Sequence, residues 1–241
     1  EIISLGLNTS LSSTKIKDFN LIFMGGGPDL EQQKIYSDFT QGKGPYLREY
    51  LESGGVGLFV CGAYQLLGRY YKSSDGSLLE GLNFLDFYTE SPGPKEVFAL
   101  KKTIRNKVRN KVPRIVGNTV VRINPELLEK PAFFANNSLG ELLVGFENHA
   151  GRTFLSQNLL SLGFVTPGSG NNGRDLTEGV LYKNTIGTYL HGPVLAKNPH
   201  LADFLIATAL GLDKLPVSGA LSKLDNLVIA SAHERSKKLK K

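Results

Sequence analysis

Apolar residues in this chain fall into short runs broken by glycine or polar turns, the pattern of strands alternating with helices. Leu21–Met24 and Val56–Val60 are uninterrupted apolar runs, as expected of strands buried on both faces of a parallel sheet. Helical spacing over about 30–40 and 45–53 lies between them, and Ser53-Gly54-Gly55 turns the chain into the second run, giving a strand–helix–strand unit. After that run Ala63, Tyr64, Gln65, Leu66, Leu67 and Tyr70 carry helical spacing.

Beyond Tyr70 the punctuation changes. Asp75-Gly76 marks a turn, and EGLNFLDFYTES at 80–91 reads as a turn followed by a strand. Residues 91–114 have the least pattern, with Pro92, Pro94 and the basic run KKTIRNKVRNKVPR. RIVGNTVVRI at 114–123 alternates like a half-buried strand, and ELLVGFENHAGRTFL at 141–155 is a strand entering a polar turn. PGSGNNGRD at 167–175 reads as a loop, GVLYKN and TIGTYLHGP as a hairpin or adjacent strands, and His200–Leu210 as an amphipathic helix.

At 241 residues with 41% hydrophobic positions, the chain can bury a full core as one large domain with or without a tail. No run of about 18 apolar residues is present, and no signal-like N-terminus, so a soluble cytoplasmic protein is expected. Its opening at Glu1 rather than Met reads as a trimmed end. The net charge of +6 suggests nucleic acid, but the excess is local: residues 97–125 hold eight Lys or Arg and no acid, while the rest carries 20 basic against 22 acidic groups. No nucleic-acid-binding motif accompanies that run or the tail Arg235–Lys241, so no nucleic-acid partner is expected.

The single cysteine, Cys61, sits where the second strand meets the following helix, with small Gly62 and Ala63 behind it. A side chain on such a turn projects from the top of the sheet, and the helix N-terminus favours thiolate over thiol. A lone cysteine is also often core filler, and these residues alone leave both readings open. The glycines of FNLIFMGGGPDLEQQ end the first strand. They lack the spacing of a phosphate-binding loop and suit a backbone N–H site for an oxyanion. Of four histidines, His191 stands at the end of an apolar strand before Gly192-Pro193, where α/β proteins build their sites, and an activated cysteine needs such a base. His149 lies in a strand-to-turn setting, and His200 and His233 read as unremarkable residues in or near surface helices.

GGGPDLEQ, FVCGAYQLLG, EGLNFLDFYTES, GFENHAGRT and GTYLHGPVLAKN, in this order, resemble the class I glutamine amidotransferase domain of the cobyric-acid-synthase-like (CobB/CobQ-like) branch over roughly residues 18–212. Within it they are most similar to glutaminase subunits serving peptidoglycan synthesis. The resemblance implies an α/β, flavodoxin-like fold: a central, mostly parallel sheet flanked by helices, with an additional antiparallel strand region. It divides the chain into an amidotransferase domain at 1–212, lacking the family's opening strand–helix unit, and a peripheral segment with a basic tail at 213–241. It makes Cys61 the nucleophile and His191 the general acid/base, with Gly26, Gly27 and Gly62 as oxyanion hole. Gln65 and Arg114 become substrate-binding residues. Ala63 stands where relatives commonly have glycine, and Pro193 where many class I enzymes have Glu, so His191 must be oriented by another residue, a backbone carbonyl, a water or a partner.

The activity implied is hydrolysis of L-glutamine through a Cys thioester, without cofactor or metal. The ammonia would pass to a MurT-like, Mur-ligase-type ATP-dependent synthetase subunit in a heterodimer at the inner face of the membrane. The acceptor would be a lipid-linked peptidoglycan precursor reached through that partner. Two alternatives stand beside it: the amidotransferase domain of a cobyric-acid-type synthase, and a catalytically silent binding subunit. GFENHAG, and the absence of a fused ATP-binding half, favour the cell-wall assignment over the first. Intact Cys61, Gln65 and His191 argue against the second. The basic segment Lys101–Arg114 is expected either to be solvated or to steer a partner or anionic substrate.

Overall fold

A computed structural model describes residues 1–7, 9–27, 29–93, 114–136, 139–213 and 226–238. In chain order the strands are β1 (Leu21–Met24), β2 (Val56–Val60), β3 (Tyr70–Lys72), β4 (Leu78–Glu80), β5 (Phe87–Glu90), β6 (Ile115–Ile123), β7 (Leu142–His149), β8 (Arg152–Leu155), β9 (Gly163–Val165), β10 (Thr177–Glu178), β11 (Val180–Tyr182) and β12 (Thr185–Thr188). The helices are α1 (Ser13–Ile16), α2 (Asp29–Asp38), α3 (Gly44–Glu52), α4 (Gly62–Leu66), α5 (Pro125–Leu128), α6 (Pro131–Asn136), α7 (Val194–Lys197), α8 (Pro199–Ala209) and α9 (Asn226–Lys237).

The central sheet has the order β1-β2-β12-β11. β1, β2 and β12 run parallel, and β11 pairs antiparallel with β12 through the hairpin at Lys183-Asn184. Every residue of β2 is buried, because the sheet is covered on both faces. Alternation along the strand sends Leu58 and Val60 into a core with Val121, Leu143, Ile186, Leu201 and Phe204, while Phe59 points into a second core with Leu47, Leu51, Tyr64, Phe87 and Tyr189. Each such side chain contributes about 1.5–3 kcal/mol by leaving water, so β2 is a rigid base for the turn that follows it.

The two helical stretches expected between β1 and β2 are α2 and α3, joined by a π-helical turn at Phe39–Lys43. The antiparallel region forms two further four-stranded sheets, β10-β9-β6-β7 and β4-β3-β5-β8, the first built on the long β6–β7 ladder that pairs Ile115 with His149. Helical spacing from Ala63 to Tyr70 is not realised: α4 stops at Leu66, and Tyr70 begins a strand. The carbonyls that would extend the helix are taken by the next loop, with Leu82 N–H donating to Leu66 O at 2.8 Å and Leu85 N–H to Leu67 O at 2.9 Å.

His200 and His233 are fully buried, contrary to their reading as surface-helix residues. Their rings meet edge-on at 5.4 Å between α8 and α9, and His233 Nδ1 lies 2.7 Å from Lys197 O. The basic segment from Lys101, apart from Arg114, falls outside the described residues, as does the end of the basic tail.

Candidate active site

Cys61 links β2 to α4 with φ 57° and ψ −114°, a left-handed conformation that an L-residue adopts at a cost of about 1–3 kcal/mol. The surroundings enforce it. Cys61 N–H donates to Thr188 O at the end of β12 (2.9 Å), and Cys61 O accepts from Gln65 N–H (3.0 Å). The half-buried side chain is thereby lifted off the carboxyl end of the central sheet, as the nucleophile-elbow reading requires.

The glycine loop after β1 packs directly on this turn. A Cβ at Gly26 would lie 2.7 Å from Cys61 Cβ and 3.0 Å from Gly62 N, so only glycine lets the loop approach the elbow. Gly62 is equally constrained: the space of its missing Cβ is filled by the Gln32 side chain from α2. A second tie from the same helix comes from Tyr36, whose buried hydroxyl donates to Gly62 O at 3.0 Å.

His191 lies three residues beyond β12, half-buried, in an isolated bridge with Phe146. Its N–H donates to Phe146 O at 2.9 Å, and its ring Nδ1 lies 3.1 Å from the same carbonyl. A carbonyl only accepts, so the proton resides on Nδ1 and the lone pair on Nε2. The orienting partner is thus a main-chain carbonyl on β7.

A cavity of about 330 Å³ brings together Cys61, His191, Gly26, Gly27, Gln65 and Arg114 of the residues singled out from sequence; Gly62 lies beside it under Gln32. Arg114 is held at the rim by Asn148, donating from Nε to Oδ1 (2.9 Å) and from Nη2 to the main-chain oxygen (2.8 Å). Gln65 is nearly buried and donates from Nε2 to Tyr189 OH at 3.0 Å, leaving its amide oxygen as an acceptor. Gln32, Tyr71, Asn148, His149 and Gly151 also line the cavity and were not assigned to it from sequence. Gln32 carried one readable signal. It occupies the inward stripe of α2 with Tyr36, where an amphipathic helix ordinarily places an apolar residue.

Burial sets the electrostatics around the cavity. His149 stacks flat on Tyr189, with centroids 3.7 Å apart, and its Nδ1 lies 2.8 Å from Gly151 O. Loss of solvent lowers its pKa to about 3, so it is neutral and holds Nδ1–H toward that carbonyl. The Tyr189 hydroxyl sits between Thr153 (2.7 Å) and Gln65, and burial raises its pKa, so it stays protonated. Behind the strand that leads to His191, the buried Glu178 accepts from Thr188 Oγ1 and from Tyr189 N–H, each at 2.7 Å; desolvation outweighs those bonds and raises its pKa to about 7. Among the described residues no group of three or more His, Cys, Asp or Glu is placed to hold a metal ion.

Residues 6–199 match the CobB/CobQ-like glutamine amidotransferase domain. The chain is 39% identical over 197 residues to subunit GatD of glutamine-hydrolysing lipid II isoglutaminyl synthase from Staphylococcus aureus, covering 82% of this chain and 66% of that protein. It is 37% identical over 192 residues to the subunit of the same name from Streptococcus pneumoniae, covering 80% of this chain and 62% of the relative. To cobyric acid synthase of Carboxydothermus hydrogenoformans it is 29% identical over 185 residues, covering 73% of this chain and 29% of that protein. The chain therefore spans a little under two thirds of the two GatD relatives.

Proposed function

The chain belongs to the CobB/CobQ-like glutamine amidotransferase family, and on that premise we propose that it is the glutamine-hydrolysing subunit of a lipid II isoglutaminyl synthase. The observation that carries the chemistry is the shared cavity: a cysteine on a strained elbow, a histidine with its Nδ1 proton fixed by a carbonyl, and a glycine loop packed against the elbow.

His191 Nε2 takes the Cys61 proton, and the thiolate attacks the side-chain amide carbon of L-glutamine. The oxyanion is held by backbone N–H groups of the Gly26-Gly27 loop and of Gly62; one such donor is typically worth about 3–4 kcal/mol of barrier. Collapse breaks the C–N bond as His191 returns the proton to the departing ammonia. Water, deprotonated by His191, then attacks the γ-glutamyl thioester and releases glutamate and the thiol. Arg114 and the Gln65 amide oxygen bind the charged end of the substrate.

The names of the two GatD relatives support the acceptor: the α-carboxyl of D-glutamate in lipid II, amidated to D-isoglutamine. Amidation requires ATP, which a MurT-like synthetase partner in a heterodimer would supply in the cytoplasm at the inner membrane face. No described helix is long and apolar enough to cross a membrane. A cobyric-acid-type role has weaker support, from a relative of which the chain covers 29%.

The test uses the complex with its synthetase. Cys61→Ser should abolish glutamine-dependent amidation and leave ammonia-dependent amidation intact, and a diazo-ketone analogue of glutamine should label Cys61 alone, with glutamine protecting it. Glutamate release at the wild-type rate by Cys61→Ser would overturn the reading.

A further inference from the structure

Gly26 and Gly27 line the cavity, Gly62 lies beside it, and a side chain reaches the same place. Gln32 is 5% exposed, lines the cavity, and fills the position of the missing Gly62 Cβ. No described residue is seen to hydrogen-bond its amide, which is not among the sealed, unpartnered polar atoms and so opens to the cavity beside the nucleophile. The other cavity glutamine is differently committed. Gln65 spends one of its two amide N–H groups on Tyr189 OH, which fixes the orientation of that amide.

We propose that Gln32 is a catalytic residue of this site: its side-chain amide donates a hydrogen bond to the substrate amide oxygen as that oxygen becomes the tetrahedral oxyanion, adding to the backbone donors. α2 carries this function because it starts from the glycine loop, so one rigid element delivers Gln32 to the elbow while Tyr36, one turn on, ties the same helix to Gly62 O. A donor fixed before the reaction stabilises charge without reorganising, which is the physical basis of oxyanion holes.

The inference rests on the glutaminase reading. The experiment uses the full chain with its synthetase subunit and compares wild type, Gln32→Met, which keeps the length but removes the donor, and Gln32→Glu, which keeps the shape but presents acceptors. Labelling stoichiometry at Cys61 counts folded sites in each. The probe is glutamate γ-semialdehyde: the Cys61 sulfur bonds to the aldehyde carbon and the thiol proton ends on the oxygen, giving a tetrahedral hemithioacetal. Both variants should lose about 100-fold in kcat per labelled site, with KM changed less than threefold, and should bind the aldehyde more weakly by the factor lost in kcat/KM. A raised KM at unchanged kcat would overturn the proposal, because the amide would then serve ground-state binding alone. Wild-type kinetics in both variants would reduce Gln32 to packing. A wild-type protein that releases no glutamate would instead sink the glutaminase reading.

Discussion

At the scale of single residues, the site depends on contacts too close for substitution. Gly26→Ala places a methyl group 2.7 Å from Cys61 Cβ, so the loop must retreat from the elbow and carry its N–H groups with it. We expect a folded protein with kcat lowered at least about 100-fold, the usual effect of losing one oxyanion donor; unchanged turnover would show that the loop adjusts without loss. His191→Ala should lose a factor of about 100 to 10,000, the range for a general acid/base, while His149→Ala should act mainly through Tyr189 and Gln65 and cost less. Steady-state glutaminase assays of the pair separate the roles, and equal losses would move the base elsewhere. That Cys61 and His191 would meet in one cavity was legible in sequence because each stands at a strand end. The Phe146 carbonyl that orients His191 was not, since a main-chain acceptor leaves no mark in residue identity. Gln32 was obscured for another reason: its one cue, a place beside Tyr36 on the inward stripe of α2, is faint on a polar-looking helix until the packing on Gly62 is seen.

At the scale of elements, β12 matters through what clamps its end. Glu178 of β10 binds Thr188 Oγ1 and Tyr189 N–H, and burial lifts its pKa from about 4.5 to about 7. Between those values the folded chain binds a proton that the unfolded chain has released, so this group's contribution is fully present below about pH 4.5 and is lost as pH rises through 7. Glu178→Gln keeps an oxygen acceptor and removes the ionisation. The variant's melting temperature relative to wild type should rise as pH goes from 5 to 8, and a difference constant over that range would contradict the raised pKa. The strands themselves were legible wherever an apolar run or an alternation was long enough, as in β2, β6 and β7. The helix after Cys61 was misjudged in length because Leu66 and Leu67 give their carbonyls to the 82–85 loop, a tertiary bond that outweighs helical spacing.

At the scale of the whole molecule, the strand–helix–strand signal announced the parallel centre of the sheet, and turn residues announced antiparallel strands around it. The partition of those strands into two separate four-stranded sheets depends on pairings such as β3 with β5 and β6 with β9, which join segments far apart in sequence and leave no local pattern. The same limit concealed the histidines of the helical layer, whose environment is created only when α8 and α9 meet. Burial lowers the pKa of His200 to about 4 and of His149 to about 3, and lowers that of His233. The unfolded chain protonates these rings below about pH 6.5, whereas in the folded chain His200 refuses the proton until about pH 4 and His149 until about pH 3, and His233 takes it up below its ordinary range. Their stabilising effect is thus complete above 6.5 and drains away as pH falls toward 4, opposite in sign to Glu178. His200→Leu keeps an apolar ring-sized neighbour for Phe133 and cannot be protonated. Urea unfolding at pH 7.5 and pH 5 should find wild type losing about 2 kcal/mol more than the variant on acidification. An equal loss in both would mean that His200 titrates normally and that the contact between α8 and α9 opens before the rest of the domain.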